Sequence, residues 1–144
     1  MKHLMFTRLA ALVIASLFAT PSLADNSVPP RFPTGQVSSA DIQAYLAEVK
    51  AIPDVRCEEA AAHQLKCDSG AQRTIWVFTL EGHPAHPAVS RGVMVVNRIG
   101  TGMMLGIDRS GHYAGDAAAF NKWFAEFAEL DTKQVAEWNR ALQR

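Results

Sequence analysis

Cysteine is scarce: the 144-residue chain carries two, Cys57 and Cys67. That excludes a disulfide-dense miniature scaffold and a four-cysteine zinc site. Nine residues separate the pair, so the C-x-x-C spacing of a thiol–disulfide oxidoreductase is also missing. Charge of one sign is not in excess, because 14 Lys and Arg balance 14 Asp and Glu. With no basic stripe or run, nucleic acid and anionic membrane surfaces are not expected partners. No apolar run reaches the ~20 residues that span a bilayer. Internal repeats, heptads and low-complexity tracts are absent too. So are the G-x-S-x-G elbow of a serine hydrolase and the strand–G-x-G-x-x-G–helix order of a dinucleotide site. The glycines at 100, 102, 106, 111 and 115 instead read as sharp turns after strands.

What is present begins with a signal-peptide pattern. Lys2, His3 and Arg8 form a basic n-region, and Leu9 to Ala19 is an apolar run of 11 residues. Pro21, Ser22 and Ala24 then supply a helix breaker and the small residues of a cleavage site. Cleavage after Ala24 would leave 120 residues, with 12 basic and 14 acidic side chains and a net charge of −2. The expectation is a periplasmic or secreted protein with no membrane span in the mature chain. A chain of that size is one domain with a real core, burying roughly two-thirds of its unfolded surface. In an oxidising compartment Cys57 and Cys67 are expected to form one disulfide, closing a loop of 11 residues.

Residues 25–37 (DNSVPPRFPTGQV) are rich in proline and read as a flexible leader, with a single domain over 38–144. Ser38 with Asp41 forms the cap of a helix whose stripe is Ile42, Tyr45, Leu46 and Val49, ending near Ala51 ahead of Pro53. The segment 57–67 suits either a helix through Glu58–Leu65 or two short strands bridged by the disulfide, and the hairpin is slightly favoured. Arg73–Leu80 is a strand with apolar side chains on both faces; Gly92–Val96 and Met103–Ile107 follow as strands. Asp108–Gly111 reads as a turn. Asp116 caps a helix with the stripe Phe120, Trp123, Phe124 and Phe127. Asp131 with Gln134 caps a further helix carrying Val135, Trp138 and Leu142. The expected architecture is α+β: a small antiparallel sheet of about three strands, with the N-terminal helix and two C-terminal helices packed on one face, and one disulfide.

The most unusual string is Glu81–Ala88 (EGHPAHPA). Each proline biases the residue before it toward an extended path, which repeats its facing every three residues, ~9 Å along. His83, Pro84, His86 and Pro87 therefore form a candidate binding loop, and also a stiff connection between strands. His83 and His86 facing the same way would be two ligands of a metal site, with His112 as the third ligand and His63, Asp108 or Asp116 as substitutes. Neutral imidazole suits zinc or copper.

The segments Trp76-Val77-Phe78-Thr79, Gly82–Ala88 and Gly111–Asp116, with Phe120 and Trp123, resemble small exported bacterial proteins of unassigned function. The resemblance implies export and carries over no catalytic residue. The leading functional expectation is a non-enzymatic exported protein in a binding, accessory or inhibitor-type role, without a cofactor, contacting a protein or small ligand in the envelope. A second is periplasmic metal binding through His83, His86 and His112. A third is an envelope hydrolase or isomerase built on His112, Asp108 and Ser110.

Overall fold

The computed structural model describes residues 30–32 and 36–144. The expected signal peptide 1–24 and most of the expected leader 25–37 lie outside the described residues. The element order is α1 (Ser39–Lys50), β1 (Arg56–Ala61), β2 (Gln64–Ser69), β3 (Thr74–Thr79), β4 (Ala88–Ile99), β5 (Gly102–Tyr113) and α2 (Ala117–Leu142). The strands form one five-stranded antiparallel meander in the order β1-β2-β3-β4-β5.

Helix α1 starts at a reciprocal cap. The Ser38 hydroxyl accepts from the Asp41 backbone N–H at 3.2 Å, and the Asp41 carboxylate accepts from the Ser38 N–H at 2.8 Å. Its stripe of Ile42, Tyr45 and Val49 packs on one face of the sheet against Cys67, Trp76, Phe78 and Val89. The Trp76 indole N–H donates to the Tyr45 hydroxyl at 2.8 Å, which satisfies a donor that burial would otherwise orphan. The opposite face carries the second core: Val77, Ala85 and Ala88 beneath Phe120, Trp123 and Phe127 of α2. Strand β3 supplies both, because successive side chains alternate faces: Trp76 and Phe78 go to one, Val77 and Ile75 to the other.

Four expectations are corrected here: the number of strands, the turn at Asp108–Gly111, the number of C-terminal helices and their packing on one face. The sheet has five strands, not about three. The cysteine segment forms the β1–β2 hairpin, with Cys57 directly opposite Cys67 and bonded to it, and β5 runs unbroken through Asp108–Gly111. Turn propensity there is overridden by a ladder in which Arg109 opposes Gly92 and finds a carboxylate on α2. The C-terminal region holds one 26-residue helix, not two. Asp131 does not cap a new helix but binds Arg109, and the Thr132 hydroxyl donates back to the Ala128 carbonyl at 2.8 Å, inside a continuing helix. Finally, the helices cover opposite faces, because β3 is apolar on both.

The disulfide is present. Among the described residues no helix is long and apolar enough to cross a membrane.

Candidate functional site

The His-Pro string forms the β3–β4 loop, ending at a cis His86–Pro87 peptide bond. Its histidines are largely occupied by the fold. The His83 Nδ1 accepts the Ala85 backbone N–H at 3.1 Å, the ring meets Trp123 edgewise at 5.5 Å between centroids, and Nε2 lies 3.4 Å from the Gln64 carboxamide nitrogen. Burial holds its pKa below the usual imidazole value; Glu126 opposes that shift, and His63 and His86 reinforce it. The His86 Nδ1 lies 2.9 Å from the Thr79 carbonyl oxygen. A carbonyl only accepts, so this nitrogen carries the proton. The Thr79 hydroxyl completes the loop's closure, accepting from the Ala88 N–H at 2.8 Å and donating to the Ala88 carbonyl at 3.1 Å. His63, in the β1–β2 turn, joins this region through its carbonyl, which accepts the Leu80 N–H at 2.7 Å.

His112 is elsewhere. It lies on the α1 face, opposite Val89 on β4, with its ring 4.5 Å from that of Phe32. Burial lowers its pKa, and the Arg91 charge lowers it further. The structure therefore does not bring His83, His86 and His112 together: His83 packs on α2 and His112 beside α1. Among the described residues no group of three His, Cys, Asp or Glu side chains is arranged to hold a metal ion. Asp108, Ser110 and His112 are alternate residues of β5 and share one face, but the Ser110 hydroxyl is buried without a hydrogen-bond partner. A nucleophile–base pair needs that hydrogen bond.

The arrangement that sequence reasoning missed lies on the other face, where the C-terminal half of α2 passes over the sheet. Here a cleft of about 310 Å³ opens between β2, β3, β4, β5 and Trp138, the small end of the range for ligand sites. Ile75, Met94 and Ile107 line it from the sheet, and Trp138 from the helix. Lys66, Asp68 and Arg73 supply charge at its border, and the ion-paired Arg109 lines it from β5.

Arg109 fixes the geometry of this cleft. Its Nε and Nη2 donate to the two Asp131 carboxylate oxygens at 2.5 and 2.6 Å, and Nη1 donates to the Ser90 hydroxyl at 2.9 Å. The guanidinium also lies 4.5 Å from the centroid of Phe127. Gly92 makes room for it: a Cβ there would sit 2.7 Å from Nη2. One residue pair thus joins β5, β4 and α2, and holds the helix at a set height over the sheet. Further along, the Asn139 carboxamide accepts from the Leu105 N–H at 2.9 Å and donates to the Leu105 carbonyl at 3.1 Å. It occupies backbone groups of an edge strand that would otherwise be open to another strand. No local spacing announces this site, because its side chains come from five elements.

Comparison with protein-family models, with curated proteins and with solved structures finds no match to this chain. The functional reading accordingly rests on the site itself.

Proposed function

We propose that the protein is an exported, non-enzymatic binding protein, and that its ligand is a small molecule held in the cleft between α2 and the sheet. The observation that carries this reading is the cleft's construction: an apolar floor and wall, a charged border, and an arginine clamp that fixes the height of the helix above it. Sites of this kind orient a ligand with a few polar groups and hold it by apolar contact. Binding is preferred to catalysis because Ser110 is not coupled to His112, and the loop histidines spend a ring nitrogen each on backbone groups. Export is supported by the signal-peptide pattern and by the Cys57–Cys67 disulfide.

The test is native mass spectrometry of the protein recovered from the compartment to which a cell sends the full chain. The expected species is residues 25–144 with the disulfide closed, carrying a non-covalent small molecule that is lost in Trp138→Ala. Recovery of an unprocessed chain would refute export. A ligand retained by Trp138→Ala, or no ligand together with no thermal stabilisation by any member of a small-molecule library, would refute the cleft.

A further inference from the structure

We propose that the cleft takes an amphipathic anion, a single medium-length acyl chain ending in a carboxylate, with the carboxylate at Arg73 and the chain running along β4 and β5. This rests on the reading of the cleft as the binding site.

The charge at the cleft is not evenly committed. Arg109 is neutralised by Asp131. Lys66 lies 3.8 Å from Glu58, and Asp68 faces Arg56 across the β1–β2 ladder. Arg73, exposed in the turn after β2, makes no ion pair with a carboxylate among the described residues. It also adopts a backbone φ of 51°, in the left-handed region that favours glycine. Asparagine or glycine would sit there with less strain, and a long cationic side chain held in such a conformation beside a cleft points to a role for the charge. Its carbonyl accepts the Met94 N–H at 2.8 Å, which ties the turn to the start of the apolar floor.

From that point the floor continues as a track. Met94 pairs with Ile107, Val96 with Leu105 and Arg98 with Met103, and alternation puts all six on the face that α2 covers. From the Gly92–Arg109 pair to the Val96–Leu105 pair is four residues, ~13 Å at the strand rise. Beyond Val93 no third strand pairs with β4 among the described residues, and side chains of the β4–β5 hairpin stay open: Val96 is 44% and Met103 60% exposed. An apolar stretch of Met94, Ile107, Val96 and Leu105, with Arg73 at the cleft end and the exposed Arg98 beyond Val96 at the hairpin tip, fits a linear amphiphile better than a compact polar molecule. Met94 and Met103 add unbranched side chains that adjust to a flexible chain.

Isothermal calorimetry with decanoate, decanol and decyltrimethylammonium, each below its micelle concentration, tests this on the mature protein, with tryptophan emission recorded in parallel. The expected result is saturable 1:1 binding of decanoate, with an emission change that disappears in Trp138→Phe, since Trp76 and Trp123 are buried in the two cores. Arg73→Gly should weaken decanoate by about fivefold, the upper end for an exposed charge pair, while raising the melting temperature by relieving the left-handed backbone. Arg73→Lys should hold affinity within about twofold. Decanol binding as tightly as decanoate, or Arg73→Gly leaving affinity unchanged, overturns the anionic ligand and leaves the cleft reading standing. No binding of any of the three probes, or binding without a Trp138 signal, overturns both.

Discussion

Gly111 is a single position at which the height of α2 over the sheet can be challenged. It lies on β5 opposite Ser90, on the α2 face. A Cβ built there would fall 2.6 and 2.8 Å from two Phe124 ring carbons and 2.9 Å from one of Phe120. Carbon atoms are at rest near 3.5–4.0 Å, so Gly111→Ala forces the rings back by about 1 Å. They have little room. Phe124 stacks on Phe120 at 5.3 Å between centroids, Phe127 lies 6.3 Å away on its other side, and Arg109–Asp131 pins the helix one turn further on. Overpacking of this kind costs about 1–3 kcal/mol, and alanine recovers roughly 0.5–1 kcal/mol over glycine within a strand. The net expectation is a destabilisation of about 0.5–2 kcal/mol, read as a fall in Tm of roughly 2–8 °C for a domain of this size. Circular-dichroism melts and urea titrations measure it. In a double-mutant cycle, Phe124→Leu should relieve most of the alanine's cost, giving a coupling of about 1 kcal/mol. A Gly111→Ala variant as stable as the parent, or strict additivity with Phe124→Leu, would refute the close approach of α2 to β5.

Other perturbations address the remaining supports. Asp131→Ala leaves the largely buried Arg109 guanidinium without its carboxylate and should cost about 3 kcal/mol by urea denaturation, whereas Arg109→Met with Asp131→Leu should recover most of that loss. Replacing both Cys57 and Cys67 with Ala should lower stability by about 2.5–3 kcal/mol through loop-closure entropy, and added reductant should then have no further effect. His83 and His112 are both held below the ordinary imidazole pKa, chiefly by burial. The unfolded chain therefore binds more protons below pH ~6.5, so urea midpoints should fall as pH drops from 7.5 to 5.5 and stay flat above 7 as far as these groups are concerned. Stability that rises on acidification over that range would contradict their burial.

What the sequence discloses and what it conceals divide along one line: local chemistry against long-range contact. Ser38, Asp41 and the 42–45–49 stripe define α1 through interactions three and four residues apart, and the structure places the helix at Ser39–Lys50. Asp116 accepts the Ala119 N–H at 2.7 Å, as an N-cap does. The apolar residues on both faces of β3 identify a central strand, but only the structure shows that each face has its own helix. The cysteine segment is ambiguous in sequence because Glu and Ala favour helix, while the Cys57–Cys67 cross-strand bond and the pairing of β2 with β3 decide for the hairpin. The turn read at Asp108–Gly111 and the cap read at Asp131 with Gln134 fail for the same reason: the Arg109–Asp131 pair, 22 residues apart in the chain, takes up the charges that otherwise mark a turn and a cap. The His-Pro string is legible as a loop between strands. Which ring nitrogen each histidine commits is not, since Thr79 and Gln64 come from neighbouring strands. The cleft was hidden most completely, with Arg73, Met94, Ile107 and Trp138 each ordinary in its own segment.

The most direct test of the central claim is a chemical-shift map of ¹⁵N-labelled protein, residues 25–144, titrated with decanoate. The cleft predicts that the Gly92, Met94 and Ile107 amides and the Trp138 indole move together and saturate at one equivalent, with the amides of His83, Ala85 and His86 unmoved. Shifts confined to the 83–86 loop, or none at saturating ligand, would contradict it.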